Sequence, residues 1–241
     1  MGLVVLRATN LRGARTAALR IALLQPPVLF LELPESAEGP VNEFLRYGDR
    51  EVLDSHPSEL VRVSTRPHVR FLSELRRHGY VGEVRCVVDD SALERELEIA
   101  SEASRLTLRY MLTGRVELGR WRDLLRTALS VEPGRSVMGL LEAVTDVGEM
   151  WAAVLDVWRM RSLRPLKEAG VAETFVCGLP TCRSPLEEMV LLERLGKLTD
   201  GRLTALVEEH AEFVRTVQVS PDLETAYDVW TERCLGRWFG P

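Results

Sequence analysis

Two short apolar runs separated by a helical pattern constrain this chain more than any other feature of its sequence. Residues 3–6 (Leu-Val-Val-Leu) and residues 28–33 (Val-Leu-Phe-Leu-Glu-Leu) are almost entirely apolar, as is typical of strands covered on both faces. The Ala- and Leu-rich stretch 14–25 between them has helical spacing and ends at Pro26-Pro27. Strand, helix and strand in this order predict a βαβ unit and hence a parallel sheet.

Further apolar runs at 81–88, 171–176 and 213–219 predict three more strands. Capping sequences at 91–94 and 184–187 predict two helix starts. Between residues 91 and 164 the pattern predicts helices only, with Trp151 and Trp158 on one helix face. The sequence therefore predicts a single α/β domain, 1–241. It consists of an open, mainly parallel sheet of about five strands with flanking helices and a helical insert at about 91–164.

Composition narrows the class of protein. Hydrophobic residues make up 46% and charged residues 28% of the chain, as in soluble globular proteins, and no apolar run is long enough for a transmembrane helix. The first residues lack the basic segment of a secretory signal, and the four cysteines are too few for a disulfide scaffold, so we expect a cytoplasmic protein with reduced thiols. The net charge of −5 argues against a broad nucleic-acid-binding surface.

Polar side chains that follow the predicted strands define a candidate site. Parallel strands place their carboxyl ends at one edge of a sheet, where diverging loops leave a crevice for ligands. Glu32 lies near the end of an apolar strand, which suits a general base or a metal ligand. A structural role, as the cap of a neighbouring helix or as the partner of an arginine, fits this position equally well. Asp89 ends the third strand, whereas Asp90 is expected to serve as the cap or the first-turn anion of the next helix.

We therefore predict two catalytic carboxylates, Glu32 and Asp89, because a pair of carboxylates can do acid–base work if their surroundings separate their pKa values. Loop and helix-start residues at the same edge are predicted to bind the ligand: Asn10, Arg12, Arg15, Gly178 and Thr181. The chain contains neither a Gly-rich dinucleotide fingerprint nor a P-loop. The sequence identifies no cofactor and predicts no metal site.

The order of these parts resembles the TraB-like superfamily, which includes ChaN-like and erythromycin-esterase-like domains. The segments that carry the resemblance are Leu6-Arg7-Ala8-Thr9-Asn10, Leu31-Glu32-Leu33-Pro34 and Phe175-Val176-Cys177-Gly178-Leu179-Pro180. The resemblance implies an α/β fold and hydrolysis, sometimes with a metal. Asn10 stands where the family places its first histidine and no histidine follows Gly178, so only Glu32 carries over.

Three functions remain open from the sequence. The first is a divergent hydrolase of this superfamily that acts on or binds a small molecule at the carboxyl edge of the sheet. The second is a transferase that binds S-adenosylmethionine or a nucleotide, with Glu32 or Asp89 on the ribose hydroxyls. The third is a non-catalytic interaction module. We also expect a homodimer through the helical insert, formed by Trp151, Val154, Leu155 and Trp158 with the aromatic C-terminal residues Trp230, Trp238 and Phe239.

Overall fold

Five parallel strands form one sheet in the spatial order β3-β2-β4-β1-β5. The strands are β1 (Gly2–Arg7), β2 (Val28–Pro34), β3 (Glu83–Val88), β4 (Trp151–Asp156) and β5 (Val171–Cys177). The structure, a computed structural model, describes residues 2–131, 135–145, 147, 150–168 and 171–239, without the side chains of 135–136, 161–162 and 237–239. The predicted open parallel α/β sheet of five strands is confirmed.

Helices occupy most of the remaining described residues. In chain order they are α1 (Leu11–Leu24), α2 (Glu38–Tyr47), α3 (Glu51–Asp54), α4 (Glu59–Thr65), α5 (Val69–Arg77), α6 (Asp90–Thr113), α7 (Leu118–Ser130), α8 (Arg135–Thr145), α9 (Arg164–Glu168), α10 (Pro185–Arg194), α11 (Asp200–Val219) and α12 (Leu223–Phe239). Short 3-10 turns cover Glu35–Ala37, Arg66–His68 and Val157–Ser162.

Helices cover both faces of the sheet in the first of two compact units, Met1–Leu93 with Gly134–Pro180. Helices α1 to α5 pack on one face, which is called the α1 face here, against alternate β1 residues such as Leu3 and Val5. Helices α8 and α9 and the turn Val157–Ser162 pack on the opposite, α9 face against Val4 and Leu6. Since both sides of the pleated strand are buried, the strand needs apolar residues at every position.

The second compact unit, Glu94–Pro133 with Thr181–Pro241, is helical. Its core is apolar and gathers residues from α6, α7, α10 and α11 around the buried Trp121. Arg122 on α7 donates to Glu193 at 2.6 Å and to Asp200 at 2.9 Å, which joins α7 to α10 and to the start of α11. The predicted capping box at Ser184 starts α10 as expected. The description of the whole chain as one domain stays a prediction.

The sequence pattern missed one strand and misassigned another. Residues 151–156, predicted to be helical, form β4 and pair with both β1 and β2. All but its last residue are buried, and a short, fully apolar segment has no period that separates a strand from a helix. Residues 213–219, predicted to be a strand, lie in α11, because their β-branched side chains favour a strand only weakly against their packing in the helical unit.

The helical insert predicted at about 91–164 is therefore wrong in its second half, which contains β4. The dimer surface predicted on that insert is wrong for the same reason. Trp151, Val154 and Leu155 are buried within the sheet, and Trp158 is half-buried against the core of the α9 face. Trp230 is buried in the second unit, and the side chains of Trp238 and Phe239 lie outside the described part of the chain. The homodimer itself stays a prediction.

We predict that acid destabilises the second unit through His210, which packs between Trp121 and Phe213. Burial lowers the pKa of His210 to about 4. The unfolded chain then binds the proton more tightly, so stability is undiminished above pH 6.5 and falls between pH 6.5 and 4, by up to about 3 kcal/mol.

Urea unfolding at several pH values, followed by circular dichroism, measures this loss. Nδ1 of His210 is buried and has no hydrogen-bond partner among the described residues. The variant His210→Phe should therefore fold at pH 7 and lose less stability than the wild type on acidification. Equal acid sensitivity in the two proteins would contradict the assignment.

Candidate functional site

The carboxyl edge of the sheet has the geometry of a ligand crevice around β4. β1 continues into α1 and β2 continues towards α2, and both helices lie on the α1 face. β4, which lies between these two strands, continues into the turn Val157–Ser162 and α9 on the α9 face. At the carboxyl end of β4 the chain therefore turns to one face of the sheet, whereas at the ends of both neighbouring strands it turns to the other face. Ligands of open α/β sheets bind at such points.

Glu32 joins β2 to β4 at the point where the two strands stop pairing. The backbone ladder ends at Leu31, which pairs with Val154. One residue further, Glu32 Oε2 accepts a hydrogen bond from the backbone N of Asp156 at 2.5 Å, and Oε1 accepts one from Nε of Arg159 at 3.0 Å. The Glu32 side chain is only 11% exposed, and these donors offset the cost of its burial. This geometry corresponds to the structural alternative, an arginine partner, and a general base would first have to release one donor.

Arg7 and His68 form a second polar group, on the α1 face. Arg7 is the last residue of β1 and is 4% exposed. Its Nη2 donates to the carbonyl oxygen of Pro67 at 3.2 Å and lies 3.5 Å from Nδ1 of His68, while the guanidinium lies over the ring of Phe71. Burial, together with the charge of Arg7, lowers the pKa of His68 to about 3. The imidazole is therefore uncharged at neutral pH.

Asn10 and Gly178 lie together, and the contacts between them are hydrogen bonds to the backbone. Asn10 caps α1, since its Oδ1 accepts from the backbone N of Gly13 at 2.6 Å, and its Nδ2 donates to the carbonyl oxygen of Gly178 at 2.7 Å. Gly178 has a φ of +89°, and a Cβ there would lie 2.6 Å from Oδ1 of Asn10, so only glycine fits. Arg12 donates to the carbonyl oxygen of Leu179 at 3.2 Å. The loop after β1 is thus fastened to the loop after β5.

Asp89 is the cap of α6, and Asp90 is its first-turn anion, the second of the two roles that the sequence suggests for Asp90. Oδ1 of Asp89 accepts from the hydroxyl of Ser91 and, at 3.0 Å, from the backbone N of Ala92. Asp90 is the first residue of α6, so the helix starts before the predicted position, and its carboxylate accepts from the backbone N of Ser36 at 3.2 Å. The end of β3 therefore contributes an exposed helix cap to this edge.

Arg15, another predicted site residue, has a different neighbour from these groups. Arg15 is exposed on α1, and its contact is Glu74 of α5, at 3.7 Å. Thr181 belongs to the second compact unit.

Three residues that the sequence analysis missed form polar contacts at the carboxyl ends of β1 and β4: Arg7, Asp156 and Arg159. Arg7 ends an apolar strand in the same way as Glu32, so the rule that singled out Glu32 could have found it. Asp156 and Arg159 follow β4, and they could not be placed while that segment was predicted to be helical. The sequence around His68 does not indicate that this residue lies near Arg7. A 3-10 turn that is far from any strand along the chain brings the two together.

Comparison of the chain with protein-family models, with curated proteins and with solved structures finds no match. The resemblance to the TraB-like superfamily therefore stays a prediction. Within the described residues, no helix is both long and apolar enough to cross a membrane. The same residues contain no group of three or more His, Cys, Asp or Glu placed to share a metal ion. The class that the structure establishes is an α/β protein with an open, fully parallel sheet.

We predict that Glu32→Gln lowers the free energy of unfolding by about 1–3 kcal/mol, because the neutral amide pairs less well with Arg159. Urea unfolding of the wild type, Glu32→Gln, Arg159→Met and the double variant measures the coupling between the two side chains. We expect a coupling energy of about 0.5–3 kcal/mol. Additive effects would show that the contact contributes nothing to stability.

We predict that Asn10→Asp destabilises the first unit at pH 7 by about 1–3 kcal/mol, because a carboxylate cannot donate to Gly178 and is left facing its carbonyl oxygen. Protonation restores a donor, so the loss should shrink at pH 5. Thermal unfolding of the wild type, Asn10→Asp and Asn10→Ala at both pH values measures this effect. The alanine variant is the control, since its loss should not depend on pH.

Proposed function

We propose that this protein binds a small anionic molecule at the carboxyl edge of its sheet, in the crevice around the end of β4. The observation that carries this proposal is the path of the chain: β1 and β2 continue on the α1 face, whereas the strand between them continues on the α9 face. A crevice of this kind is where open α/β sheets bind their ligands.

Two arginine side chains at this edge support an anionic ligand. Arg159 is half-buried beside the end of β4, and Arg12 is exposed at the start of α1. A guanidinium binds carboxylate and phosphate groups through paired donors. His68, uncharged at neutral pH, can offer a hydrogen bond without adding charge.

In this proposal Glu32 is a positioning residue. Its Oε1 holds Nε of Arg159, which fixes the orientation of the guanidinium plane towards the crevice. Hydrolysis, which the resemblance to the TraB-like superfamily implies, would need Glu32 to exchange Arg159 for a water molecule or a substrate group. The two roles differ in outcome, because a positioning residue affects ligand affinity and a general base affects turnover.

The transferase and the interaction module remain the alternatives. Glu32 could take ribose hydroxyls only by giving up one of its two present donors. A ligand panel that contains inorganic phosphate, dicarboxylates, nucleotides, S-adenosylmethionine and divalent metal ions separates these functions.

We predict that an anionic member of that panel raises the melting temperature of the wild type. A ligand at one hundred times its dissociation constant stabilises the folded state by about 2.7 kcal/mol. The variant Arg159→Met should lose most of this shift, and Arg164→Met, the same change at an exposed arginine of α9, should keep it. Glu32→Gln should weaken binding less than Arg159→Met does, because it removes the positioning of Arg159 and leaves its charge.

No shift with any anion, or an undiminished shift in Arg159→Met, would contradict the proposed site. A shift with S-adenosylmethionine or a nucleotide alone would favour the transferase instead. Retained binding with lost turnover in Glu32→Gln would return Glu32 to the catalytic role predicted from the sequence.

A further inference from the structure

The two edge strands of the sheet, β3 and β5, differ in whether side chains cover their free backbone groups. At the β3 edge, Asn42 of α2 takes the place of a neighbouring strand: its Nδ2 donates to the carbonyl oxygen of Val84 at 2.7 Å, and its Oδ1 accepts from the N of Val84 at 2.9 Å. Glu38 accepts from the backbone N of Cys86 at 3.0 Å. Side chains therefore occupy backbone groups that an edge strand would otherwise present to another chain.

The β5 edge has no such cover among the described residues. β5 pairs only with β1, and residues 172–174 in its middle are exposed. Val176, near its end, is 41% exposed. An open edge strand of this length is a template for strand addition.

Beside this edge lie two opposite charges that have no ionic partner within the described part of the chain. The guanidinium of Arg20, on α1, stacks over the ring of Phe175 at 3.7 Å, and its buried Nε has no hydrogen-bond acceptor in the described ranges. Glu173 is exposed, and neither a hydrogen bond nor an ion pair is recorded for it in the described residues. Glu173 and Phe175 pair in register with Leu3 and Val5, so both lie on the α1 face.

We propose that β5 pairs in antiparallel fashion with β5 of a second copy of this chain, about a two-fold axis at Thr174. A self-complementary interface of this kind needs the same strand from both copies. The axis at Thr174 places Glu173 of one copy directly opposite Phe175 of the other, on the same face of the joined sheet. The carboxylate of each copy then meets the Arg20 guanidinium stacked on that phenylalanine, and both charges gain a partner.

Other registers do not bring the two charges together. An axis at Glu173 would place the two carboxylates opposite each other, which is unfavourable. An axis at Phe175 would leave each Glu173 opposite Cys177. The charge pattern therefore selects Thr174.

An apolar surface on α1 continues this edge. Leu23 and Leu24 follow Arg20 by three and four residues, so they lie on the same side of the helix. Leu23 is 72% exposed and Leu24 is 38% exposed. In the proposed dimer these side chains flank the joined strands, where water would be excluded from both copies.

Charge reversal in the full-length protein tests the pairing. Sedimentation equilibrium at tens of micromolar should give a dimer for the wild type. Glu173→Arg and Arg20→Glu should each raise the dissociation constant about tenfold or more, and the double variant should restore it. Glu83→Arg, which reverses an exposed glutamate at the shielded β3 edge, is the matched control and should remain dimeric.

Cross-linking provides a second measurement that does not depend on the charge variants. Residue 174 faces its own copy at a Cα separation of roughly 4.5–5.5 Å, within the range of a disulfide. Diamide, a thiol oxidant, should link Thr174→Cys into a species of twice 27.2 kDa on a non-reducing gel, and the wild type should stay unlinked. A monomeric wild type, a dimer insensitive to both reversals, a double variant without rescue, or a cysteine variant that does not cross-link would each overturn the proposal.

Discussion

The backbone pairing of β4 on both sides is the constraint on which the rest of this structure depends. β1 and β2 are consecutive in the chain, but they are not neighbours in the sheet, because β4 lies between them. The sheet is therefore complete only when a segment from much later in the chain has entered it. Closing so long a loop costs chain entropy, which the burial of apolar side chains must offset. β4 provides this burial with Trp151, Val154 and Leu155 in the core.

The same insertion creates the candidate site. The pairing of β4 with β2 ends at Val154, so the backbone beyond it has no β2 partner in the ladder. Glu32 supplies an acceptor for the backbone N of Asp156 at this point and holds Arg159 with its other oxygen. In the proposed function, the same carboxylate also positions the Arg159 guanidinium for an anionic ligand.

Satisfaction of backbone groups explains most of the polar side chains that the sequence singled out. Asn10 caps α1 and binds Gly178, Asp89 caps α6, and Arg12 donates to the carbonyl oxygen of Leu179. A buried backbone donor or acceptor without a partner is costly, so polar residues near strand ends serve this need first. The open edge of β5 is the exception within the described strands, and a second copy of the chain would complete it.

The sequence by itself determined the fold class and four of the five strands, because apolar runs at 3–6, 28–33, 81–88 and 171–176 can be buried only in a covered parallel sheet. It also located Glu32, since a carboxylate in such a run must be paired. Only the tertiary structure decided that Trp151–Asp156 is a strand, that 213–219 is a helix, and that Arg159 is the partner of Glu32. The physical reason is that a short apolar run in the sequence indicates only that the segment is buried. Whether such a segment forms a strand or a helix depends on which backbone lies beside it.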